Sequence, residues 1–333
     1  MSTTTSFSRR TALRRSAAVL LLAASLAACG SAPSEGGAAA GGDDTITLGF
    51  SQVGAESGWR TANTQSIQDS AAAAGIELQF SDAQQKQENQ IRAIRSFIQQ
   101  RVDVIAFSPV VETGWDTVLQ EAKRAQIPVV LTDRSVDSTD TSLYATFLGS
   151  DFVEEGRKAG QWLVDQGAAE PVNVVELQGT TGAAPAIDRK EGFAEAIAGT
   201  PNIQVVASQT GDFTRSGGRQ VMEAFLVSQP DIDVVYAHND DMALGAIEAI
   251  EAAGLVPGQD IRIISVDAVK DGMQALADGR INFIVECNPL LGDQLMDLVK
   301  AVHAGEPVPA RVVTEETVFD QQAAIAALPN RLY

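Results

Sequence analysis

Several polar residues of this chain stand at points where a parallel β-strand would end. Asp133 and Arg134 follow the apolar run VVLT, Asn239 follows VVYA and one histidine, and Asp267 follows IRIISV. Carboxylate, amide and guanidinium groups make paired, directional hydrogen bonds, which suits a polar ligand. Because ligands of open α/β sheets bind outside the carboxyl ends of the strands, these side chains are predicted to line a cleft.

Two adjacent acids in AHNDDMALGA raise the question of acid–base or metal chemistry. Asn239 is predicted to face the ligand through both atoms of its amide, Asp240 to cap the next helix or orient its neighbours, and Asp241 to lie in the first helical turn. His238 has no second histidine or cysteine at metal-ligand spacing, and neither G-x-G-x-x-G nor G-K-S/T occurs at the GTTG segment. We therefore predict no catalytic pair, no metal and no cofactor.

The elements that must position these residues follow from hydrophobic patterning. From residue 45, the apolar runs ITLGF, ELQF, VIAF and VVLT alternate with amphipathic segments, and after residue 149 a second series follows with VNVVEL, IQVVAS, VVYA and IRIISV. Strands separated by helices indicate parallel sheets covered on both faces. Because the second series is as long as the first, an α/β fold with two doubly wound lobes is predicted.

The N-terminal segment is typical of an exported protein. Four arginines precede an Ala/Leu run that ends in LAAC, so residues 1–28 are predicted to be a signal peptide, Cys29 a lipid-modified residue and residues 29–44 a lipidated Gly-rich tether. SRR also resembles a twin-arginine signal, so both export routes stay open. Removal of residues 1–28, with four arginines and no acid, changes the formal charge from −19 to −23. Such acidity argues against nucleic acid as a partner, and Cys287 is left without a disulfide partner.

Seven stretches together carry a family resemblance: FSQVGAESGWR, SDAQQKQENQIRAIRSFI, PVVETGW, DRS, VVELQGTTGAAPAIDRKEGFAEAI, GDFTRS and YAHNDDMALGAI. From about residue 45 to the end, the chain resembles the pentose- and hexose-binding proteins of bacterial ABC sugar importers, and within them the galactofuranose-binding type. The resemblance implies a type I periplasmic-binding-protein fold, two Rossmann-like lobes joined by three crossing strands. The expected lobes are residues 45–149 with 288–314 and residues 150–287 with 315–333.

The resemblance also implies a set of ligand-binding residues. Where ribose-binding relatives carry Asn-Pro-Phe-Phe, this chain has ESGWR, and CNP stands where a glutamine before Leu-Pro is usual. The expected ligand-binding residues are Glu56, Trp59, Arg60, Asp133, Arg134, Arg189, Phe213, Asn239, Asp267 and Asn288. The carboxylates of Glu56, Asp133 and Asp267 would balance the three arginines.

The expected function is that of a monomeric, lipid-anchored protein outside the cell membrane or in the periplasm that captures one monosaccharide and delivers it to an ABC permease. Glu56 and Arg60 offer hydrogen bonds to the exocyclic diol of a furanose hexose, so galactofuranose is the expected ligand, with ribose, galactose or arabinose as alternatives. A sugar-acting enzyme needs two carboxyl groups with unequal pKa values. Because an arginine is expected beside both Asp133 and Asp267, we predict no enzyme, and the export signal argues against a sugar-responsive repressor.

Overall fold

The computed structural model describes residues 45–167 and 170–333. The predicted signal peptide (residues 1–28), Cys29 and the whole predicted tether (residues 29–44) lie outside these residues. Within them, no helix is long and apolar enough to cross a membrane.

The first sheet has six strands in the order β11-β5-β4-β3-β1-β2, all parallel where they pair. Its strands are β1 (Thr47–Gln52), β2 (Glu77–Asp82), β3 (Val104–Phe107), β4 (Val129–Thr132), β5 (Thr146–Gly149) and β11 (Arg311–Val313). The helices that connect or cover them are α1 (Gly58–Ala74), α2 (Gln87–Gln100), α3 (Asp116–Arg124) and α9 (Gly292–His303). Strands β3, β4 and β5 are buried at every position, as expected of a parallel sheet with helices on both faces.

The second sheet repeats the design with the order β12-β10-β9-β8-β6-β7, and β12 pairs antiparallel to β10 at its edge. Its strands are β6 (Val172–Gln178), β7 (Ile203–Thr210), β8 (Val234–Ala237), β9 (Arg262–Asp267), β10 (Phe283–Glu286) and β12 (Val318–Phe319). Its helices are α4 (Phe152–Asp165), α5 (Ala184–Ile197), α6 (Arg215–Ser228), α7 (Asp240–Ala252), α8 (Lys270–Ala277) and α10 (Gln321–Ala327).

Helix ends near the strand termini have local causes. The Ser57 hydroxyl accepts the Arg60 amide at 3.1 Å and starts α1, and Gly75, with φ of 70°, ends it in the left-handed region. Helix α4 is capped in the same way by Asp151, which accepts the Glu154 amide. These caps orient the first turns of α1 and α4 at the carboxyl ends of their sheets.

The chain passes between the two sheets three times. The crossing segments are residues 150–151 between β5 and α4, residues 287–291 between β10 and α9, and residues 314–317 between β11 and β12. The alternating strands and helices of the sequence are confirmed. Elements α8, α10, β11 and β12 were not predicted, because they are short and carry little periodicity.

Candidate functional site

One cavity of about 290 Å³ lies between the carboxyl ends of the two sheets. Nine of the ten expected ligand-binding residues line it: Glu56, Trp59, Arg60, Asp133, Arg134, Arg189, Phe213, Asn239 and Asp267. Asn288 is not among the lining residues. Its side-chain oxygen accepts the Leu290 amide at 2.9 Å, so it shapes the second crossing segment instead.

The wall contributed by the first sheet is built around Arg60. The guanidinium is 2% exposed and lies 2.7 Å from Asp133 Oδ2 and 3.1 Å from Glu56 Oε1. Gln52 Oε1 accepts from Arg60 at 3.2 Å, and the Ser108 hydroxyl donates to Asp133 at 2.8 Å. The arginine is therefore held rigidly between two carboxylates, as the charge-balance argument predicted.

Arg134 is less well compensated than Arg60. Its guanidinium donates to the Val110 carbonyl at 3.2 Å, but its carboxylate neighbours Glu56 and Asp133 are both 3.7 Å away. Burial, together with the charge of Arg60, lowers the pKa of Arg134 to about 10. This cation therefore gains from any further acceptor that a ligand brings.

On the wall contributed by the second sheet, Arg189 pairs with a carboxylate that the sequence did not single out. Its Nε lies 2.7 Å from Glu155 Oε2, its Nη1 donates to the His238 carbonyl, and its Nη2 is 3.8 Å from Asp267 Oδ1. Burial raises the pKa of Asp267 well above its usual range, although Arg189 opposes the shift. Arg189 thus lies beside Asp267, as predicted, but it pairs more closely with Glu155.

Asn239 has two partners within the protein. Its Oδ1 accepts the Met242 amide at 3.0 Å and so caps α7, while its Nδ2 donates to the Phe213 carbonyl at 3.1 Å. Both atoms of this amide therefore already make one hydrogen bond within the protein. One N–H and one oxygen lone pair remain for the bidentate contact that was expected with a ligand. Asp240 does not cap the helix; it accepts from the Ser265 hydroxyl at 2.6 Å and the Val269 amide at 2.8 Å, and so orients the loop after β9.

The aromatic part of the wall depends on an unusual backbone. Phe213 has φ of 59°, a region that non-glycine residues seldom adopt. Its ring lies over Gly179, where an added Cβ would come within 1.9 Å of it. Arg134, from the opposite lobe, lies 5.2 Å above the ring centroid. Gly179, in the GTTG segment, therefore makes room for the ring.

Three buried polar atoms of the cavity wall have no hydrogen-bond partner among the described residues. These are Glu56 Oε2, Arg134 Nε and Asp267 Oδ2. Buried polar groups are normally satisfied, and an unsatisfied one costs about 1 to 3 kcal/mol. Two oxygens and one N–H donor on residues that line one small cavity match a ligand that carries several hydroxyl groups.

Direct contacts across the cleft show that the two lobes are closed on each other. Asp241 Oδ2, at the start of α7, accepts the Gly58 amide at 2.7 Å, and the Glu112 amide donates to the Gly182 carbonyl at 2.9 Å. Both bonds join residues of different lobes.

Sequence reasoning missed four lining residues and one buried partner. The missed lining residues are Ser57, Phe152, Pro185 and Cys287. Cys287 follows β10 directly, so its position at a strand end was sufficient to select it, whereas the sequence analysis selected its neighbour Asn288. Glu155 gave no signal, because an acid in EEGRKAG reads as an exposed helical residue.

The fold and this closed polar cleft define a binding protein of two hinged α/β lobes. The profile of a family described as periplasmic binding protein domain matches residues 48–307. The chain belongs to this family, whose members are exported binding proteins, and the predicted type I fold is confirmed.

Particular relatives bind sugars, and the resemblance to sugar-binding proteins of ABC importers is confirmed. The chain is 51% identical over 278 residues, which cover 82% of this chain and 87% of the relative, to the galactofuranose-binding protein YtfQ of Escherichia coli (strain K12). A Mycobacterium smegmatis protein in complex with β-D-fucofuranose is 70% identical, with a TM-score of 0.85 and coverage of 86% of this chain and 95% of that chain.

A third relative is the periplasmic binding protein of the arabinose ABC transporter of Shewanella sp. ANA-3, bound to α- and β-L-arabinofuranose. It is 52% identical, with a TM-score of 0.84, and the match covers 86% of this chain and 96% of that chain.

Proposed function

We propose that this protein captures one monosaccharide in its furanose form and delivers it to an ABC permease. The observation that carries the proposal is a set of three buried polar atoms without a hydrogen-bond partner, Glu56 Oε2, Arg134 Nε and Asp267 Oδ2, on residues that line one small cavity. The three relatives named above all bind five-membered sugar rings according to their descriptions.

Galactofuranose is the proposed ligand, preferred over ribose. Glu56 Oε2 is free, and Arg60 lies 3.1 Å from the other oxygen of the same carboxylate, so the pair presents acceptor and donor groups side by side. A site built around particular hydroxyls rejects analogues that lack them, since its buried polar groups then stay unpaired. Loss of the Glu56 carboxylate should therefore weaken the binding of galactofuranose more than the binding of ribose.

Isothermal titration calorimetry with D-galactose, L-arabinose and D-ribose tests the proposal. A free sugar is only partly furanose, so its apparent dissociation constant is the intrinsic one divided by the furanose fraction. The ring form is read from the NMR spectrum of [1-¹³C]galactose bound to the protein. The proposal is supported if galactose is bound in its furanose form and has a smaller dissociation constant than ribose. Glu56→Ala should narrow the difference between these two dissociation constants. Equal or tighter binding of ribose contradicts the proposed ligand.

We also propose that the protein is not an enzyme. The raised pKa of Asp267 supplies one feature of a general acid, so an enzymatic role needs a direct test. Prolonged incubation with galactose and with a galactofuranoside, followed by chromatography, should return both sugars unchanged. Appearance of a released or epimerised sugar would establish catalysis.

The remaining features of the proposal concern the whole chain. We propose lobes of residues 45–149 with 288–314 and of residues 150–287 with 315–333, because each set contains all strands of one sheet. We further propose a monomer that is anchored through lipid on Cys29 outside the cell membrane or in the periplasm. The LAAC sequence and the Gly-rich segment after it support the anchor.

A further inference from the structure

The three crossing segments meet at one carboxylate oxygen. Glu316 Oε1 accepts a hydrogen bond from the Ser150 hydroxyl in the first segment, from the Asn288 amide at 3.0 Å in the second and from the Thr314 hydroxyl at 3.0 Å in the third. A rotation of one lobe against the other must change the backbone of all three segments. Glu316 therefore links the segments that must move when the cleft opens.

A second carboxyl group faces this junction from α4. Glu155 is 1% exposed, and its Oε1 has no hydrogen-bond partner in the part of the chain that the structure describes. One carboxylate oxygen of Glu155, one of Glu316 and the sulfur of Cys287 all lie within 4.8 Å of one another. Two carboxylates at this separation cannot bond to each other unless one of them holds a proton.

The proton belongs on Glu155. Burial, and then the neighbouring Glu316, raise the pKa of Glu155 to about 8, even though Arg189 opposes the shift. At neutral pH, a protonated Oε1 can thus donate to Glu316 while Oε2 accepts from Arg189 at 2.7 Å.

Arg189 connects this pair to the ligand. It lines the cavity and contacts Glu155, which faces Glu316, the residue that holds the three crossing segments. Gly156 makes the close approach of α4 to α5 possible, because a Cβ there would lie 2.1 Å from the Arg189 carbonyl oxygen.

We propose that Glu155 and Glu316 form a proton-sharing pair that couples sugar binding to closure of the hinge, so that the protein takes up a proton when it closes on its ligand. The proposal rests on the proposed function for its ligand. In an open cleft, water reaches the junction and Glu155 returns toward the ionisation of an ordinary carboxylate. Closure then requires its protonation, and affinity falls as the pH rises, by at most tenfold per pH unit for one proton.

Other charged or titratable groups surround the pair and must be separated from it. Those that contact the pair or interact with its charges are Lys158, Arg189, Tyr236, Asp267, Cys287 and Arg311, the last through the Ser150 carbonyl. Among them, Asp267 is the chief competitor for a proton, because it too is buried with a raised pKa. Replacement of Glu155 alone distinguishes the two.

Calorimetry of the purified protein with D-galactose and L-arabinose at pH 7, in buffers of different ionisation enthalpy, measures the proton uptake. We expect uptake approaching one proton per sugar and a dissociation constant that increases between pH 6 and 8. Glu155→Gln should abolish both effects, because the glutamine amide donates permanently to Glu316 and its oxygen still accepts from Arg189.

Glu154→Gln is the matched control. Glu154 is the preceding residue of α4, but it is half exposed and pairs with Arg157, so the variant should keep the proton uptake of the wild type. Absence of uptake in the wild type, or undiminished uptake in Glu155→Gln, overturns the proposal. If neither sugar binds, the proposed function fails. Urea denaturation of the sugar-free variants then tests whether Glu155 holds a proton in the folded protein. Glu155→Gln, but not Glu154→Gln, should then reduce the loss of stability between pH 6 and 9.

Discussion

At the scale of single residues, the arginines of the cavity differ in what fixes them. Arg60 lies between two carboxylates, whereas Arg189 depends on Glu155, with Asp267 1.1 Å farther away (3.8 against 2.7 Å). A guanidinium presents a planar fork of donors that a lysine ammonium does not reproduce. Replacement of an arginine by lysine therefore keeps the charge and tests the geometry of the guanidinium separately.

Arg189→Lys should keep the fold and weaken sugar binding by at least tenfold. The ammonium still compensates Glu155, but it loses the parallel donors that reach the His238 carbonyl and the cavity at the same time. Calorimetry gives the affinity, and thermal unfolding monitors the fold. Lys190→Ala, at an exposed neighbouring position, is the control and should bind sugar as the wild type does. A dissociation constant within threefold of the wild type would place Arg189 outside the ligand contacts.

A site residue could be predicted where a local sequence pattern marks its position, and not where its position depends on tertiary packing. Asp133, Asn239 and Asp267 were found because strand ends can be recognised from short apolar runs. Glu155 was missed because its burial follows from the packing of α4 on α5, a tertiary fact with no local pattern. For the same reason, the capping of α7 by Asn239 rather than Asp240 was not foreseen.

At the scale of elements, helix N-termini meet across the cleft. Helix α1 of one lobe starts at Gly58, whose amide reaches the carboxylate of Asp241 in the first turn of α7 of the other lobe. A carboxylate interacts favourably with both helix N-termini. Because the bond joins the lobes, it stabilises only the closed arrangement.

Asp241→Ala should therefore weaken sugar binding and speed sugar release. A hydrogen bond to a charged group contributes about 1.5 to 3 kcal/mol, so we expect a loss of about tenfold or more in affinity. Calorimetry and stopped-flow fluorescence of the site tryptophan, Trp59, measure the two effects. Asp271→Ala removes another carboxylate that pairs with the same Arg215 but is mostly exposed, and it should change neither. Equal affinities of the two variants would show that the bond does not hold the cleft closed.

The order of strands and helices was predictable because each lobe repeats one period of strand and amphipathic helix. The final elements were not, since β11 and β12 have three and two residues and obtain their place from partners in β5 and β10. Such short edge strands are fixed by the sheet they join rather than by their own sequence.

At the scale of the whole molecule, the N-terminal segment is predicted to determine where the protein acts. Lipid on Cys29 should hold the protein at a membrane surface, because LAAC is followed by a Gly-rich tether. We expect Cys29→Ala to move the protein from the membrane fraction to the soluble fraction, or to leave it unprocessed at a larger mass. Fractionation with mass spectrometry distinguishes these outcomes, and Cys287→Ala serves as a control that keeps the anchor. Unchanged, fully processed membrane association of Cys29→Ala would exclude lipidation at this residue.

The buried acids of the described residues also determine how stability depends on pH. Burial raises the pKa of Glu155 to about 8 and of Asp240 to about 7. In each case the folded state holds a proton that the unfolded state releases above about pH 4 to 5. Stability therefore falls as the pH rises through this window, by up to ~1.4 kcal/mol per pH unit for each proton. His238 acts in the opposite direction below about pH 6.5, because burial lowers its pKa and the unfolded state binds the extra proton.

The acids outnumber this histidine, so the free energy of unfolding should be higher at pH 6 than at pH 8. Urea denaturation of the sugar-free protein at intervals of half a pH unit measures it, with the m-value as a check that the transition itself is unchanged. Asp240→Asn should reduce the slope near pH 7, because the amide does not ionise; its single oxygen can accept from the Val269 amide, and its NH2 group can donate to the oxygen of the Ser265 hydroxyl. A free energy of unfolding that is constant or rises between pH 6 and 8 would mean that these acids are already ionised in the folded protein.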